Sequence, residues 1–168
     1  MINKRRQLTL FIDSNAAATI EQLRRQFNPL QYALIKAHVT LSREDELNPI
    51  EKVMSNLMML HNEPVSIEFG KPIRFSENNG VLIPAIGTNE SFQELRKNIL
   101  KDIVEEPRRH EPHITLMHPR NSTCTDILFE QISKFSFPNI IQFKKISLVE
   151  QEMGKQWQLV KEFELIKQ

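Results

Sequence analysis

The sequence lacks the features of secreted and membrane proteins. It contains a single cysteine, Cys124, so no intramolecular disulfide can form. No apolar run approaches the roughly 20 residues that are needed to span a bilayer. The apolar stretch near the start of the chain, residues 8–12, is too short for the core of a signal peptide. From these absences we expect a soluble, cytoplasmic protein without membrane contact.

The charge balance also lacks an excess of either sign. There are 22 Lys and Arg residues against 21 Asp and Glu residues, which gives a net charge of +1. A protein that coats long nucleic acid by charge alone needs a large positive excess, so that class is excluded. A chain of 168 residues with 40% hydrophobic and 26% charged residues is typical of a single compact domain over residues 1–168.

Strand and helix patterns alternate along the chain. The predicted strands cover residues 7–13, 34–42, 65–69, 81–86, 112–117, 140–149 and 156–166. Helices are predicted between most of them from apolar residues at helical spacing. Two helix starts carry sequence signals: Asn48 before Pro49, and a capping box formed by Ser91 and Glu94.

The pattern of elements occurs twice. Measured from His38 and from His113, which are 75 residues apart, the neighbouring strands and helices begin at nearly the same offsets. We interpret this as an internal duplication, with sequence halves at about residues 1–75 and 76–168. The predicted fold is α+β, with two lobes related by a pseudo-two-fold axis and a cleft between them. Each lobe is expected to be a mostly antiparallel sheet flanked by helices.

The repeated central strands carry the same four-residue pattern, His-apolar-Thr-Leu, at residues 38–41 and 113–116. With 5 His residues in the chain, about 0.03 such copies are expected by chance. Side chains alternate between the two faces of a strand, so each histidine shares a face with its threonine. If the outward faces of the two lobes meet, His38, Thr40, His113 and Thr115 converge on one small volume.

These residue types suit displacement at phosphorus. A neutral imidazole can take a proton from the attacking group, while a protonated imidazole gives a proton to the leaving oxygen. Threonine hydroxyls can donate hydrogen bonds to phosphoryl oxygens as negative charge builds up. This chemistry requires neither a metal ion nor another cofactor.

With these two motifs, the sequence resembles the 2H phosphoesterase superfamily, which includes 2′-5′ RNA ligase-like proteins and cyclic phosphodiesterases. The resemblance implies a central cleft and metal-independent hydrolysis of a 2′,3′-cyclic phosphate or related cyclic phosphodiester on a nucleotide or RNA end. By microscopic reversibility, we also expect the same site to form a 2′-5′ linkage when it is given a 2′,3′-cyclic phosphate and a hydroxyl. The catalytic residues of the superfamily carry over to His38, Thr40, His113 and Thr115. A non-catalytic module that binds nucleotides or RNA ends in the same cleft is the alternative.

Three further residues near the motifs are predicted to bind substrate. Arg120 follows the second motif and Arg43 the first, at similar distances, and either guanidinium suits a phosphate. His118 lies five residues beyond His113.

Other candidates are weaker. A zinc site can be written on paper from His110, His113, His118 and Cys124, but its spacing matches no common ligand signature. Tyr32 and Phe69 are candidates for stacking on a base, although strand aromatics usually belong to the core. Trp157 alternates with Leu159 and Phe163, and we expect it in the core.

Overall fold

The computed structural model describes residues 4–75 and 79–166. The strands are β1 (Lys4–Phe11), β2 (His38–Ser42), β3 (Val65–Glu68), β4 (Ile73–Arg74), β5 (Val81–Pro84), β6 (His113–Met117), β7 (Ile140–Phe143), β8 (Lys145–Glu152) and β9 (Gln158–Glu164). The helices are α1 (Ser14–Phe27), α2 (Pro29–Leu34), α3 (Ile50–Met58), α4 (Glu90–Ile99) and α5 (Asp126–Ile132), and a short 3₁₀ turn covers Glu44–Glu46. Within the described ranges, no helix is long and apolar enough to cross a membrane.

Seven strands form one antiparallel sheet in the order β4-β5-β6-β2-β1-β8-β9, and β3 pairs with β7 in a separate two-stranded sheet. This confirms the predicted α+β class with a mostly antiparallel sheet. The two strands that carry the His-apolar-Thr-Leu motif, β2 and β6, are neighbours near the middle of the large sheet and join the two sequence halves. The division into duplicated halves at about residue 75 stays a prediction.

The core lies on the face of the sheet that carries the aliphatic members of the motifs. Val39, Leu41, Ile114 and Leu116 are each at most 1% exposed. Helix α4 packs its apolar stripe into the same cluster, in which Phe92, Leu95 and Ile99 are fully buried. Because this face is covered, the other face of β2 and β6 is left for polar side chains.

Several predicted boundaries were wrong. The strand predicted from residue 34 begins only at His38, because Pro29 starts the short helix α2 and the chain leaves it at Ile35. Helix α4 begins at Glu90 after Asn89, without a side-chain cap, so Ser91 and Glu94 do not form the predicted capping box. Pro49, rather than Asn48, is the N-cap of α3.

The predicted strand over residues 140–149 is two strands in different sheets. It breaks at Lys144: β7 pairs with β3, whereas β8 pairs with β1 and β9. Both strands carry apolar residues at alternate or successive positions, so the apolar pattern alone does not mark the change of sheet. This break carries β8 to the far side of β1 and thereby extends the large sheet beyond the repeated pattern.

Candidate active site

The four motif residues lie on one face of two paired strands. Val39 of β2 pairs with Ile114 of β6, antiparallel. In this register His38 is opposite Thr115, and Thr40 is opposite His113. All four side chains are partly exposed, while the alternate aliphatic residues are buried. The period-two alternation of the sequence therefore delivers two imidazoles and two hydroxyls to one surface.

This surface is the floor of a cavity of about 260 Å³. Its lining combines the four motif residues with basic, amide and aromatic side chains from β1, α1, α2, the turn after β6 and the β8–β9 turn. The lining residues are Arg5, Gln7, Arg24, Gln31, Leu34, Ile35, His38, Thr40, Phe75, His113, Thr115, His118, Pro119, Arg120, Gln151 and Trp157. Among these described lining residues, three are arginines, three are histidines, and none is an Asp or a Glu.

His38 is held in one tautomer. Its Nδ1 lies 2.7 Å from the carbonyl oxygen of Lys36, which can only accept, so Nδ1 carries the proton and donates. The other ring nitrogen, Nε2, is then the acceptor of a neutral ring and lies 3.4 Å from the amide nitrogen of Gln7. Phe11, opposite His38 on β1, meets its ring edge-on at 6.0 Å between centroids.

His113 repeats this arrangement. Its Nδ1 lies 3.0 Å from the carbonyl oxygen of Glu111, again the residue two positions earlier, and donates to it. Phe75 meets the ring at 89° and 6.3 Å between centroids. In both imidazoles, Nδ1 therefore donates to the backbone just before the strand, and Nε2 remains for another partner.

The electrostatic surroundings favour a neutral His38. Burial lowers the pKa of His38 to about 4, partly offset by the Lys36 carbonyl, and the nearby positive charge of Arg24 lowers it further. At neutral pH the Nε2 lone pair of His38 is thus available to take a proton. Within the described residues, neither Arg5 nor Arg120 forms an ion pair with a carboxylate, so their positive charge is uncompensated and favours an anion in the cavity.

The sequence profile of the 2′-5′ RNA ligase superfamily matches residues 12–155. The chain belongs to this superfamily. The crystal structure of E. coli LigT complexed with phosphate is similar over 99% of this chain and 100% of that chain, with a TM-score of 0.70 and 14% identity. The LigT complex with 3′-AMP has a TM-score of 0.69 and 14% identity over 98% of this chain and 99% of its own.

A crystal structure described as a phosphoesterase is also similar, with a TM-score of 0.67, 14% identity and coverage of 98% of this chain and 99% of that chain. At these identities the likeness shows the fold. No curated protein matches the sequence. The predicted resemblance to the 2H phosphoesterase superfamily is confirmed, and the general class is that of phosphoesterase and RNA ligase-like proteins.

In this member of the 2′-5′ RNA ligase superfamily, the turn after β6 brings two predicted substrate ligands to the cavity. His118 and Arg120 both line it. His118 Nδ1 accepts from the backbone N–H of Arg120 at 3.1 Å, which places the ring proton on Nε2, and burial lowers the pKa of His118. The buried Asn28 fixes this turn: its Oδ1 accepts from the His118 N–H at 3.0 Å, and its Nδ2 donates to Asn121 Oδ1 at 3.0 Å.

The structure does not bring Arg43 to the cavity. Arg43 is exposed, and its backbone N–H donates to Glu46 Oε2 at 3.0 Å at the start of the 3₁₀ turn. Glu46 in turn is paired with the buried Arg96 at 2.6 Å. The chain after β2 is thus turned toward α4, and the geometry gives no support to the substrate-binding role predicted for Arg43.

The zinc site considered from the sequence does not form in the described part of the chain. There, no group of three or more His, Cys, Asp or Glu side chains is arranged to hold a metal ion. Cys124 is 3% exposed, and its thiol donates to the carbonyl of Thr125 at 3.5 Å. His110 is not among the lining residues. Its ring stacks on Phe92, and its ring centroid lies 6.1 Å from that of His113. Burial lowers the pKa of His110 to about 4.

Several lining residues escaped the sequence analysis. Gln7 and Arg5 lie on alternate positions of β1. The pairing of β1 with β2 brings this strand beside His38, and its pairing with β8 places Arg5 opposite Gln151. The expectation that Trp157 belongs to the core was wrong: it lies on the β8–β9 turn, lines the cavity and has the Arg5 guanidinium 5.4 Å from its ring centroid. The stacking candidates lie elsewhere, since Phe69 is 4% exposed in the core and Tyr32 is outside the lining.

Proposed function

We propose that the protein is a metal-independent phosphodiesterase that opens a 2′,3′-cyclic phosphate on a nucleotide or RNA end by two-histidine acid/base catalysis. The observation that carries this proposal is the matched pair of imidazoles. Both His38 and His113 donate through Nδ1 to the carbonyl two residues before them, which reserves Nε2 for proton exchange in the cavity. A cavity whose described lining contains three arginines and no carboxylate suits the single negative charge of a cyclic phosphodiester.

His38 is the general base in this proposal, because its lowered pKa keeps it neutral at physiological pH. Water attacks phosphorus while its proton passes to His38 Nε2. One of the two ring P–O bonds breaks, and protonated His113 gives its Nε2 proton to the leaving ribose oxygen. The products are a phosphomonoester and the freed hydroxyl, and the two imidazoles regain their starting protonation through solvent.

The remaining cavity residues stabilise the charge that develops on phosphorus. Thr40, opposite His113, and Thr115, opposite His38, donate hydroxyl hydrogen bonds to the two non-bridging oxygens. Arg120 supplies a full positive charge from the rim, and neutral His118 offers its Nε2–H as a further donor. None of these groups changes its protonation during the reaction.

The same geometry can also serve ligation. When the 5′-hydroxyl of a second RNA end replaces water, its oxygen attacks phosphorus and its proton passes to His38, while the P–O3′ bond breaks and His113 gives its proton to the freed 3′ oxygen, which leaves a 2′-5′ linkage. E. coli LigT, whose fold this chain shares, has been crystallised with 3′-AMP and with phosphate. Those complexes support a nucleotide phosphate as the occupant of this cavity. They also fit the alternative, a module that binds nucleotides or RNA ends without turnover.

Hydrolysis of a panel of 2′,3′-cyclic mononucleotides and short RNAs with cyclic phosphate ends, measured with EDTA present, tests the proposal. We expect turnover that survives EDTA and falls by at least about 10²-fold in His38→Ala and in His113→Ala. His61→Ala is the matched control, since His61 is exposed and outside the cavity lining, and it should retain wild-type activity.

Two results contradict the proposal. Loss of turnover on chelation would show that a metal ion takes part. Absence of turnover on every substrate, in folded protein that still binds nucleotides, would assign the cavity to a binding module.

A further inference from the structure

The two histidines have similar surroundings, but on the side of His38 the cavity lining continues along a row of side chains from β1 and the β8–β9 turn. Gln7 on β1 lies next to His38 Nε2, and Arg5 follows two residues along the same strand. Arg5 is paired with Gln151 on β8. Two residues of a strand span about 7 Å. The row therefore leads from the phosphate position outward by about the span of a ribose.

Trp157, the single tryptophan of the chain, follows Arg5 in this row of lining residues. It lies on the turn between β8 and β9, beyond the repeated pattern of strands. Its backbone N–H donates to the carbonyl of Leu34 at 2.9 Å, which ties the turn to the segment that enters β2. The indole is partly exposed and lines the cavity. A large aromatic face is thus held at a fixed distance from the catalytic floor.

Arg5 and Gln151 fix the indole surroundings. The Arg5 guanidinium lies 5.4 Å from the Trp157 ring centroid and donates to Gln151 Oε1. Gln151 is 2% exposed, and its Nε2 donates to the carbonyl of Lys155 at 2.6 Å. Both ends of this carboxamide are therefore occupied within the protein. The guanidinium thus lies over the indole ring, and a planar guanidinium and an aromatic ring are both groups on which a base can stack.

We propose that Trp157 and Arg5 form the platform on which the nucleobase of the substrate stacks while its phosphate lies between His38 and His113. This inference rests on the proposed function and deepens it by naming the group that distinguishes a nucleotide from a base-free cyclic phosphate. Because the Gln151 carboxamide is already engaged within the protein, it is not free to bind the edge of the base, and the platform contacts the face of the base. Purines, with the larger face, are preferred to pyrimidines.

A pair of substrates isolates this contribution: adenosine 2′,3′-cyclic phosphate and the base-free methyl riboside 2′,3′-cyclic phosphate. The measured quantity is the ratio of their kcat/KM values. In Trp157→Ala the ratio should fall by about 5- to 150-fold, as expected for the loss of stacking on one base. Trp157→Phe keeps an aromatic face and should recover part of the ratio. Tyr32→Ala, which removes an aromatic outside the cavity, should leave it unchanged.

A second measurement is independent of turnover. Since Trp157 is the single tryptophan, its fluorescence reports contact with a base directly. Adenosine 2′,3′-cyclic phosphate titrated into inactive His38→Ala protein should quench this fluorescence, whereas the base-free compound should not. This second readout uses the intact indole, so it does not depend on the folding of a Trp157 variant.

The outcomes separate the two proposals. A ratio unchanged in Trp157→Ala, or turnover of adenosine substrate without quenching of Trp157, overturns the platform and leaves the phosphodiesterase intact. If the wild type turns over neither substrate, the proposed function fails, and the fluorescence titration alone decides the platform: base-dependent quenching supports it, and its absence overturns it.

Discussion

The acidic limb of the pH–rate profile tests whether burial of His38 sets its role as the base. A base acts only when deprotonated, so kcat/KM rises with pH through the pKa of the free enzyme's base. With the pKa of His38 at about 4, about nine-tenths of the molecules hold it neutral at pH 5. At the ordinary histidine pKa of about 6.5, only about 3% would do so. The two cases differ about 30-fold in kcat/KM at pH 5.

The perturbation is Phe11→Ala. Phe11 meets the His38 ring edge-on at 6.0 Å but does not line the cavity, so its removal exposes the imidazole without deleting a lining side chain. Greater access of water weakens the desolvation that lowers the pKa of His38, and the pKa rises toward 6.5. A rise of about one unit would halve kcat/KM at pH 5 relative to the plateau. Phe137→Ala, a comparable deletion against the core, should keep the wild-type limb.

The assay is kcat/KM for a 2′,3′-cyclic mononucleotide across the acidic and neutral range at constant ionic strength, with far-UV circular dichroism of each sample to verify folding. A wild-type limb near pH 6.5 would refute the burial argument for His38. A wild-type limb near pH 4 that Phe11→Ala fails to move would place the cause of the shift in other neighbours of the ring.

Two further predictions concern the supports of the site. Glu46→Gln should lower the free energy of unfolding by about 3 kcal/mol, because Arg96, 1% exposed, loses its carboxylate partner. Burial alone would raise the pKa of Glu46, but hydrogen bonds from Arg96 and the Arg43 N–H outweigh it and lower that pKa to about 2. The contribution of Glu46 to the free energy of unfolding is therefore complete above the ordinary glutamate pKa and declines as the pH falls toward about 2. Near that pH, the free energies measured by urea unfolding of wild type and variant should converge. Glu44→Gln, at an exposed position, is the control. Asn28→Ala should raise KM and lower kcat/KM about 10-fold, because the turn bearing Arg120 loses its side-chain anchor. Lower thermal stability with unchanged kinetics would reduce Asn28 to a structural role.

The sequence predicted that the four motif residues share one surface, because strand alternation is a local property. Once the His-apolar-Thr-Leu pattern is assigned to a strand, the faces of His38 and Thr40 follow from the period of two, and the buried Val39 confirms the register. The α+β class followed from the order of elements in the same way. These inferences needed no knowledge of which strands pair.

The errors arose where pairing or a turn decided the outcome. Helix α2 has six residues, none of them buried, so it leaves no apolar stripe in the sequence. Trp157 lies at even spacing from Leu159 and Phe163, so the alternation of a strand places all three on one face. However, β9 begins at Gln158, and Trp157 belongs to the preceding turn. Arg5 joins the cavity only through the register of β1 with β8, which no local pattern encodes.

The same reasoning explains why the two arginines after the motifs differ. Arg43 and Arg120 follow their strands at similar distances, and the repeat predicted the same role for both. After β2 the chain enters a 3₁₀ turn that Glu46 fastens to Arg96, whereas after β6 it forms a turn fixed by Asn28. The repeated strands are alike, but the anchors beyond them are not. Only the second anchor directs its guanidinium into the cavity.

The proposed chemistry gives the two imidazoles different roles, one as base and one as acid, and their surroundings differ. The common anchor, a carbonyl two residues earlier, orients both rings, while the neighbours distinguish them: His38 has Phe11 and Gln7, and His113 has Phe75 and His110. In the proposed reaction, the two motif strands thus place one imidazole on each side of phosphorus. Residues outside the motifs then determine the different roles in the proposed reaction. Burial of His38 assigns it as the base, and the proposed platform of Trp157 and Arg5 holds the nucleobase on that side.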